Sequence, residues 1–304
     1  MSDRITGAML SDSTLRDINS SLAALERTSN ELSSGKSILE ASDNPYGTSR
    51  AIELQSQLDG LSGFAKNTED GSAWTNTSES AMANIGEVVQ RVRTLLVQAS
   101  NGSLNAGDLQ AIATQVTQLT ESVKQDADTQ YAGQYVFAGT QTTTRPYAPG
   151  ENDEYQGDEG TIARSIGPGA SIAINANVSS LLGNGQESKD GKLLDTLRTI
   201  VQHLGEATPE ARAALNSSDL KSLDENFETL TQLQAATGSA HDQLQTAASR
   251  IESLQSSITA VLSSTENADY AATSLAYSNE RASYEAALRA GATIIQESLL
   301  NFLH

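Results

Sequence analysis

Apolar residues recur at steps of three and four along both ends of this 304-residue chain, and the middle breaks the rhythm. In the C-terminal third, Leu244, Ala247, Ile251, Leu254, Ile258, Val261, Thr265, Ala268, Ala272, Leu275, Asn279, Ala282 and Ala286 follow one heptad stripe, and eleven of these thirteen are apolar. The stripe covers 43 residues, about 64 Å of helix at 1.5 Å per residue. It predicts a rod core on Leu244, Ile251, Leu254, Ile258, Val261 and Leu275. Alanine at many stripe positions permits close helix approach but buries little area, so such a helix needs partners. Beyond Gly291 the register slips, and a fresh stripe runs through Leu288, Ala292, Ile295, Leu299 and Phe302. Near the other end Leu15, Ile18, Leu22, Leu25 and Leu32 repeat the pattern, with Ser29 as its weak position. Each terminus carries an apolar seam, which predicts an assembly surface.

Punctuation residues divide the chain in three. Pro146, Pro149 and Pro168 lie in the middle, and ten of the 22 glycines fall between Gly133 and Gly191, so that stretch is not long helix. Gly35 supplies a left-handed helix end, and Pro45 restarts helix after Asn44. From Pro45 a helix is expected past Trp74 to Asn101-Gly102, and another opens near Asp108 and ends near Tyr131. The β part begins at Gln134-Tyr135-Val136-Phe137. A later segment, Ser171 to Val178, alternates as a half-buried strand does. Helix returns from Lys192 to Leu204, and the longest helix is expected to start near Asp219. The fold class is mainly α with a β insert (α+β): an elongated bundle of long coiled-coil helices carrying a small inserted β domain. The insert, with its own turns, reads as an outward module that the helical rod does not need.

Charge and composition narrow the function. Acidic residues outnumber basic ones by 38 to 19, and Lys and Arg form no cluster, so nucleic acid and anionic bilayers are repelled. Aromatic residues are 4% of the chain, a poor fit to an aromatic-lined catalytic pocket. With no cysteine, thiol catalysis, disulfides and cysteine-ligated zinc are absent. No run of apolar residues is long enough to cross a membrane, and the first residues lack the apolar stretch of a cleaved signal peptide. His241 beside Asp242 reads as a solvated residue; His203 and His304 stand apart, without H-E-x-x-H spacing. The acidic run Glu151, Asp153, Glu154, Asp158 and Glu159 lacks the spacing of a calcium loop. Trp74 reads as packed between helices, and Gly167-Pro168-Gly169 as a turn. No catalytic, cofactor or metal residue is expected.

Four segments carry a family resemblance. Leu32-Ser33-Ser34-Gly35-Lys36, with Ser42-Asp43-Asn44-Pro45 and Ser49-Arg50-Ala51, resembles the first loop and second-helix start of the flagellin superfamily. Tyr135-Val136-Phe137-Ala138-Gly139-Thr140 with Arg145-Pro146-Tyr147, and Tyr155-Gln156-Gly157-Asp158 leading to Ile166, Ile172 and Ile174, resemble the β-domain segments of its hook-filament junction proteins, the hook-associated protein 3 family. Tyr284-Glu285-Ala286-Ala287-Leu288 through Ser298-Leu299-Leu300-Asn301-Phe302-Leu303 resembles the superfamily's C-terminal helix. Asn44 stands where that family usually has an acidic residue, and Tyr46-Gly47 where it has small apolar ones.

The resemblance implies five segments: an assembly helix and loop over 1–44, rod over 45–133, β insert over 134–186, rod over 187–287, and an assembly helix over 288–304. It implies a structural role, with copies self-associating in a ring between hook-associated protein 1 and flagellin. It also implies export through the flagellar type III channel, with a chaperone, to an extracellular flagellum. Filament flagellin and a non-flagellar coiled-coil adhesin are the alternatives; an enzyme is not expected.

Overall fold

The computed structural model describes the backbone of residues 2–100, 104–185 and 187–302, and the side chains of 9, 11–100, 104–185 and 187–293. Two positions expected to bound elements, Asn101-Gly102 and residue 186, lie outside the described residues. The chain divides into two compact units: residues 1–60 with 254–304, and residues 61–253.

The terminal unit holds α1 (Ser2–Ser34), the start of α2 (Pro45–Ala99), the end of α7 (Leu220–Glu266) and α8 (Tyr270–Phe302). Gly35 closes α1 at φ 70°, its N–H donating 2.9 Å to the Glu31 carbonyl. Pro45 occupies the first turn of α2, whose Gly47 N–H donates 2.9 Å to Asn44 Oδ1. The stretch around Gly35 also meets the α7–α8 junction: Ser37 N–H donates to the Glu266 carbonyl at 2.7 Å, and Ala268 N–H to Gly35 at 2.9 Å.

The central unit holds the rest of α2, then α3 (Ala106–Ala127), two short hairpins, three helices and the start of α7. Asn105 and Asp108 cap α3 reciprocally, each side chain accepting the other's backbone N–H at 3.0 Å. Strands β1 (Gln130–Tyr131) and β2 (Gln134–Tyr135) are antiparallel around Ala132 and Gly133, both at positive φ. Strands β3 (Ala163–Gly167) and β4 (Ala170–Ala173) pair antiparallel across Pro168-Gly169, with a bulge between Ser165 and Gly167. Helices α4 (Ser179–Leu182), α5 (Leu193–Glu206) and α6 (Pro209–Ala214) follow, and a π-helical turn at Leu215–Asp219 leads into α7.

One hydrophobic cluster fills this central unit. It takes Trp74, Met82, Ile85, Val89 and Leu96 from α2, Leu109 and Val116 from α3, Leu197 and Ile200 from α5, and Leu230 and Leu244 from α7. The insert feeds the same cluster through Val136, Phe137, Tyr147, Ile172, Ile174, Val178, Leu181 and Leu182. The expectation of an outward module separable from the rod is therefore corrected. Alternation along 171–178 is present, with Ile172, Ile174, Ala176 and Val178 buried, although the ladder itself ends at Ala173.

The heptad stripe departs from expectation in three ways. It is not one helix: α7 ends at Glu266 and α8 begins at Tyr270, where Asp269 Oδ1 accepts the N–H of Ala271 at 2.9 Å. Its inner face also rotates. Leu244, Ala247 and Ile251 are buried, Ile258 is half-buried, and Leu254 and Val261 are exposed while Gln255 and Leu262 turn inward. A 3.5-residue repeat drifts about 20° per heptad around a straight α-helix, enough to move 254 and 261 off the packed side. Finally, Leu275 is 65% exposed on α8. The longest helix is α2, at 55 residues, rather than α7 at 47. Gly291 does not interrupt α8; a Cβ there would sit 3.0 Å from Ile18 Cδ1, so its lack of a side chain lets α1 and α8 close up antiparallel.

Candidate assembly interface

Burial is divided unequally between the two units. Every member of the main buried cluster falls between Trp74 and Leu244, in the central unit. Among the described residues of the terminal unit, Leu54 is the one buried large apolar side chain. The exposed large apolar residues among those described are Met9, Leu15, Leu39, Tyr46, Ile52, Leu254, Val261, Tyr270, Leu275 and Leu288 in the terminal unit, against Val97 in the central one.

The predicted seam residues share this exposure only in part. Leu15 is 51% exposed and Leu288 43%, while Ile18, Leu22, Leu25 and Leu32 are half-buried in the α1–α8 pair. Ile295, Leu299, Phe302 and His304 lie outside the described side chains. Of the predicted rod core, Leu244 and Ile251 sit in the packed face, Ile258 at its margin, and Leu254, Val261 and Leu275 on the surface.

The loop after α1 is built by its own polar groups. The Asp43 carboxylate accepts the N–H groups of Glu40 at 2.9 Å and Leu39 at 3.1 Å, which hold it below the usual carboxylate range. Lys36 Nζ lies 3.3 Å from the Glu266 carboxylate. At Gly47 an added Cβ would come within 2.6 Å of the Asn44 amide and 2.7 Å of Ile38, so this position accepts no side chain without rearrangement.

The two central family segments interlock. Tyr155 Oη donates to the carbonyls of Phe137 (2.8 Å) and Asp158 (2.9 Å). Its phenol is pushed up to about 12 by burial and by the nearby Asp158 and Glu159 charges, so it stays a donor. The Asp158 carboxylate accepts from the Thr140 hydroxyl and backbone N–H and from Gly160 N–H, and these bonds lower its pKa. Gly139, at φ 66°, lies against Asp158 with no space for a Cβ. Tyr135-Val136-Phe137-Ala138-Gly139-Thr140 and Tyr155-Gln156-Gly157-Asp158 are thus two halves of one clasp.

The acidic run holds protein cations. Lys124, 2% exposed at its side chain, donates to the carbonyls of Gly150 (2.7 Å) and Asn152 (2.9 Å) and to Asp153 (2.9 Å). Arg198 of α5 bridges the same carboxylate through Nε at 2.9 Å and a terminal nitrogen at 3.0 Å, and reaches Glu121 at 3.2 Å. Burial alone would raise the Asp153 pKa; the hydrogen bonds and charges of Arg198 and Lys124 outweigh it and leave the pKa lowered. Two acids and two bases make the cluster neutral, tying α3, the insert and α5 together.

Other polar residues serve packing. Trp74 is 1% exposed, edge-on to Tyr131 at 6.1 Å. His241 is half-buried, its Nδ1 3.1 Å from the Thr75 hydroxyl, rather than solvated. His203 Nδ1 lies 2.6 Å from Asp219, 16 residues away across the π turn. Sequence reading missed both histidine pairs and the Lys124–Asp153–Arg198 cluster, because each partner comes from a different element. Among the described residues no group of histidine, cysteine or acidic side chains has a metal-holding arrangement, and no helix is long and apolar enough to cross a membrane.

Comparison with known proteins follows the same lines. The family model for the bacterial flagellin N-terminal helical region matches residues 5–142. Flagellin from Salmonella muenchen is 34% identical over 47% of this chain, and the match spans 29% of that relative's length. Flagellin from Bacillus subtilis is 26% identical over 88% of both chains, and flagellar hook-associated protein 3 from Escherichia coli is 25% identical over 64% of this chain and 62% of its own. A crystal structure of hook-associated protein-3 from Legionella pneumophila overlays with a TM-score of 0.60 at 14% identity, covering 70% of this chain and 98% of that one. Residues 5–142 thus match the flagellin N-terminal helical region, the chain is similar in sequence to flagellins and to hook-associated protein 3, and it shares the fold of the Legionella hook-associated protein-3 structure.

Proposed function

We propose that this chain is a structural protein of the bacterial flagellum that forms the junction layer between hook and filament. The observation that carries this reading is the unequal burial among the described residues: the main buried core lies within 61–253, while most of the exposed large apolar side chains lie in the terminal unit. Exposed apolar surface on this scale marks a site of association. On this reading copies self-associate in a ring, meet hook-associated protein 1 on one side and flagellin on the other, and reach the extracellular flagellum through the type III channel with a chaperone holding the C-terminal seam. The terminal segments 1–44 and 288–304 act as assembly elements. The chemistry of this role is association, and the buried charges of Lys124, Asp153 and Arg198 satisfy one another.

Electron microscopy of a deletion strain tests the reading. Hooks that persist while flagellin is shed into the medium support the junction role; intact filaments overturn it. The alignment over 88% of a Bacillus flagellin favours filament flagellin as a second reading. Purified subunits that polymerise alone into long filaments would establish that one instead.

A further inference from the structure

Glycine in the interior of a helix is tolerated where a neighbour occupies the space its Cβ would take, and α2 holds three such positions. At Gly47 that space meets Asn44 and Ile38, at Gly71 it meets Leu244 and Ile174, and at Gly86 it meets Leu230. Gly60 and Gly63 differ, because a Cβ at either would meet nothing within 4 Å. Alanine would fit both sites and is the better helix former. The two glycines therefore weaken a long helix where packing gains nothing in return.

Three further observations fall at the same level. The boundary between the compact units cuts α2 at Gly60–Leu61. The main buried cluster starts only at Trp74, and Gly60 and Gly63 are themselves exposed. Gly/Ser pairs are a recognised cause of helix kinks, and Gly60-Leu61-Ser62-Gly63 supplies one.

We propose that Gly60 and Gly63 make α2 a bending joint, a conformational device that lets the helix change direction between its assembly-facing start and its packed centre. Because an added Cβ meets no atom, Gly60→Ala with Gly63→Ala tests the joint without threatening the fold. Native-state hydrogen exchange of the full chain should show amides 60–67 opening well before those of the turns above Trp74. The double variant should slow them roughly tenfold or more, the return expected from two glycine replacements in an exposed helix. The chain has no cysteine, so spin labels at Glu53→Cys and Asn76→Cys report the same segment independently, about 34 Å apart along a straight helix. Their distance distribution should be broad in the parent and narrow in the alanine variant. Uniformly slow exchange through 60–67, or distributions of equal width, would overturn the joint.

Discussion

Replacing residues 134–186 by a short Gly/Ser linker is the sharpest test of how this fold is held. Seven large apolar side chains of the insert are buried in the central cluster: Val136, Phe137, Ile172, Ile174, Val178, Leu181 and Leu182. At about 1.5–3 kcal/mol for each, their removal withdraws roughly 10–20 kcal/mol, as much as or more than the total of about 5–15 kcal/mol that stabilises an ordinary domain. The deletion also removes Asp153, leaving the buried Lys124 and the Arg198 guanidinium without their shared carboxylate. Far-UV circular dichroism with urea titration should show a large loss of helix and of the cooperative transition. A graded version separates packing from gross disruption. Ile174→Ala, at a side chain 1% exposed, should cost about 2–5 kcal/mol, whereas Ser171→Ala on the exposed face should stay within about 0.5 kcal/mol. A deletion variant with full helical signal and a single sharp transition would refute the shared core, and equal midpoints for the two point variants would refute the burial pattern.

Other consequences follow from individual groups. Asp153→Ala should cost about 3–5 kcal/mol by stranding two cations, measured by chemical denaturation. Because the folded Asp153 pKa is depressed, its contribution is present above the unfolded value near about 4 and is lost as pH falls through the lower folded one. Asp153→Asn should accordingly flatten the acid limb of a melting-temperature profile, and an unchanged limb would exclude the cluster. Leu254→Asp and Val261→Asp should each shift the monomer's stability by less than about 0.5 kcal/mol, since both side chains are over 40% exposed, yet reduce incorporation at the hook tip; a large melting shift would restore them to the rod core. Truncation after Ala287 should leave the transition of the central unit in place and abolish incorporation, as scored by differential scanning calorimetry and immuno-electron microscopy.

Much of this architecture was legible from local chemistry. Gly35 and Asn44-Pro45 mark helix ends because caps and fixed backbone angles act within a few residues. The alternation Ile172, Ile174, Ala176, Val178 shows one face of an extended segment for the same reason. The three–four repeat on α1 was readable too, since it needs only the helix itself. What local pattern could not decide was which surface each stripe meets. Leu254 and Val261 look as buried as Leu244 and Ile251 by spacing alone, and only the straightness of α7 and the position of its neighbours turn them outward. Gly291 reads as a break in register, but the approach of Ile18 makes it a point of close contact inside a continuous helix. The acidic run from Glu151 to Glu159 reads as a solvated loop until α3 and α5 bring Lys124 and Arg198 to Asp153. Charge pairing and burial depend on distances between elements far apart in the chain, so those properties belong to the tertiary structure, whereas periodicity and capping belong to the sequence.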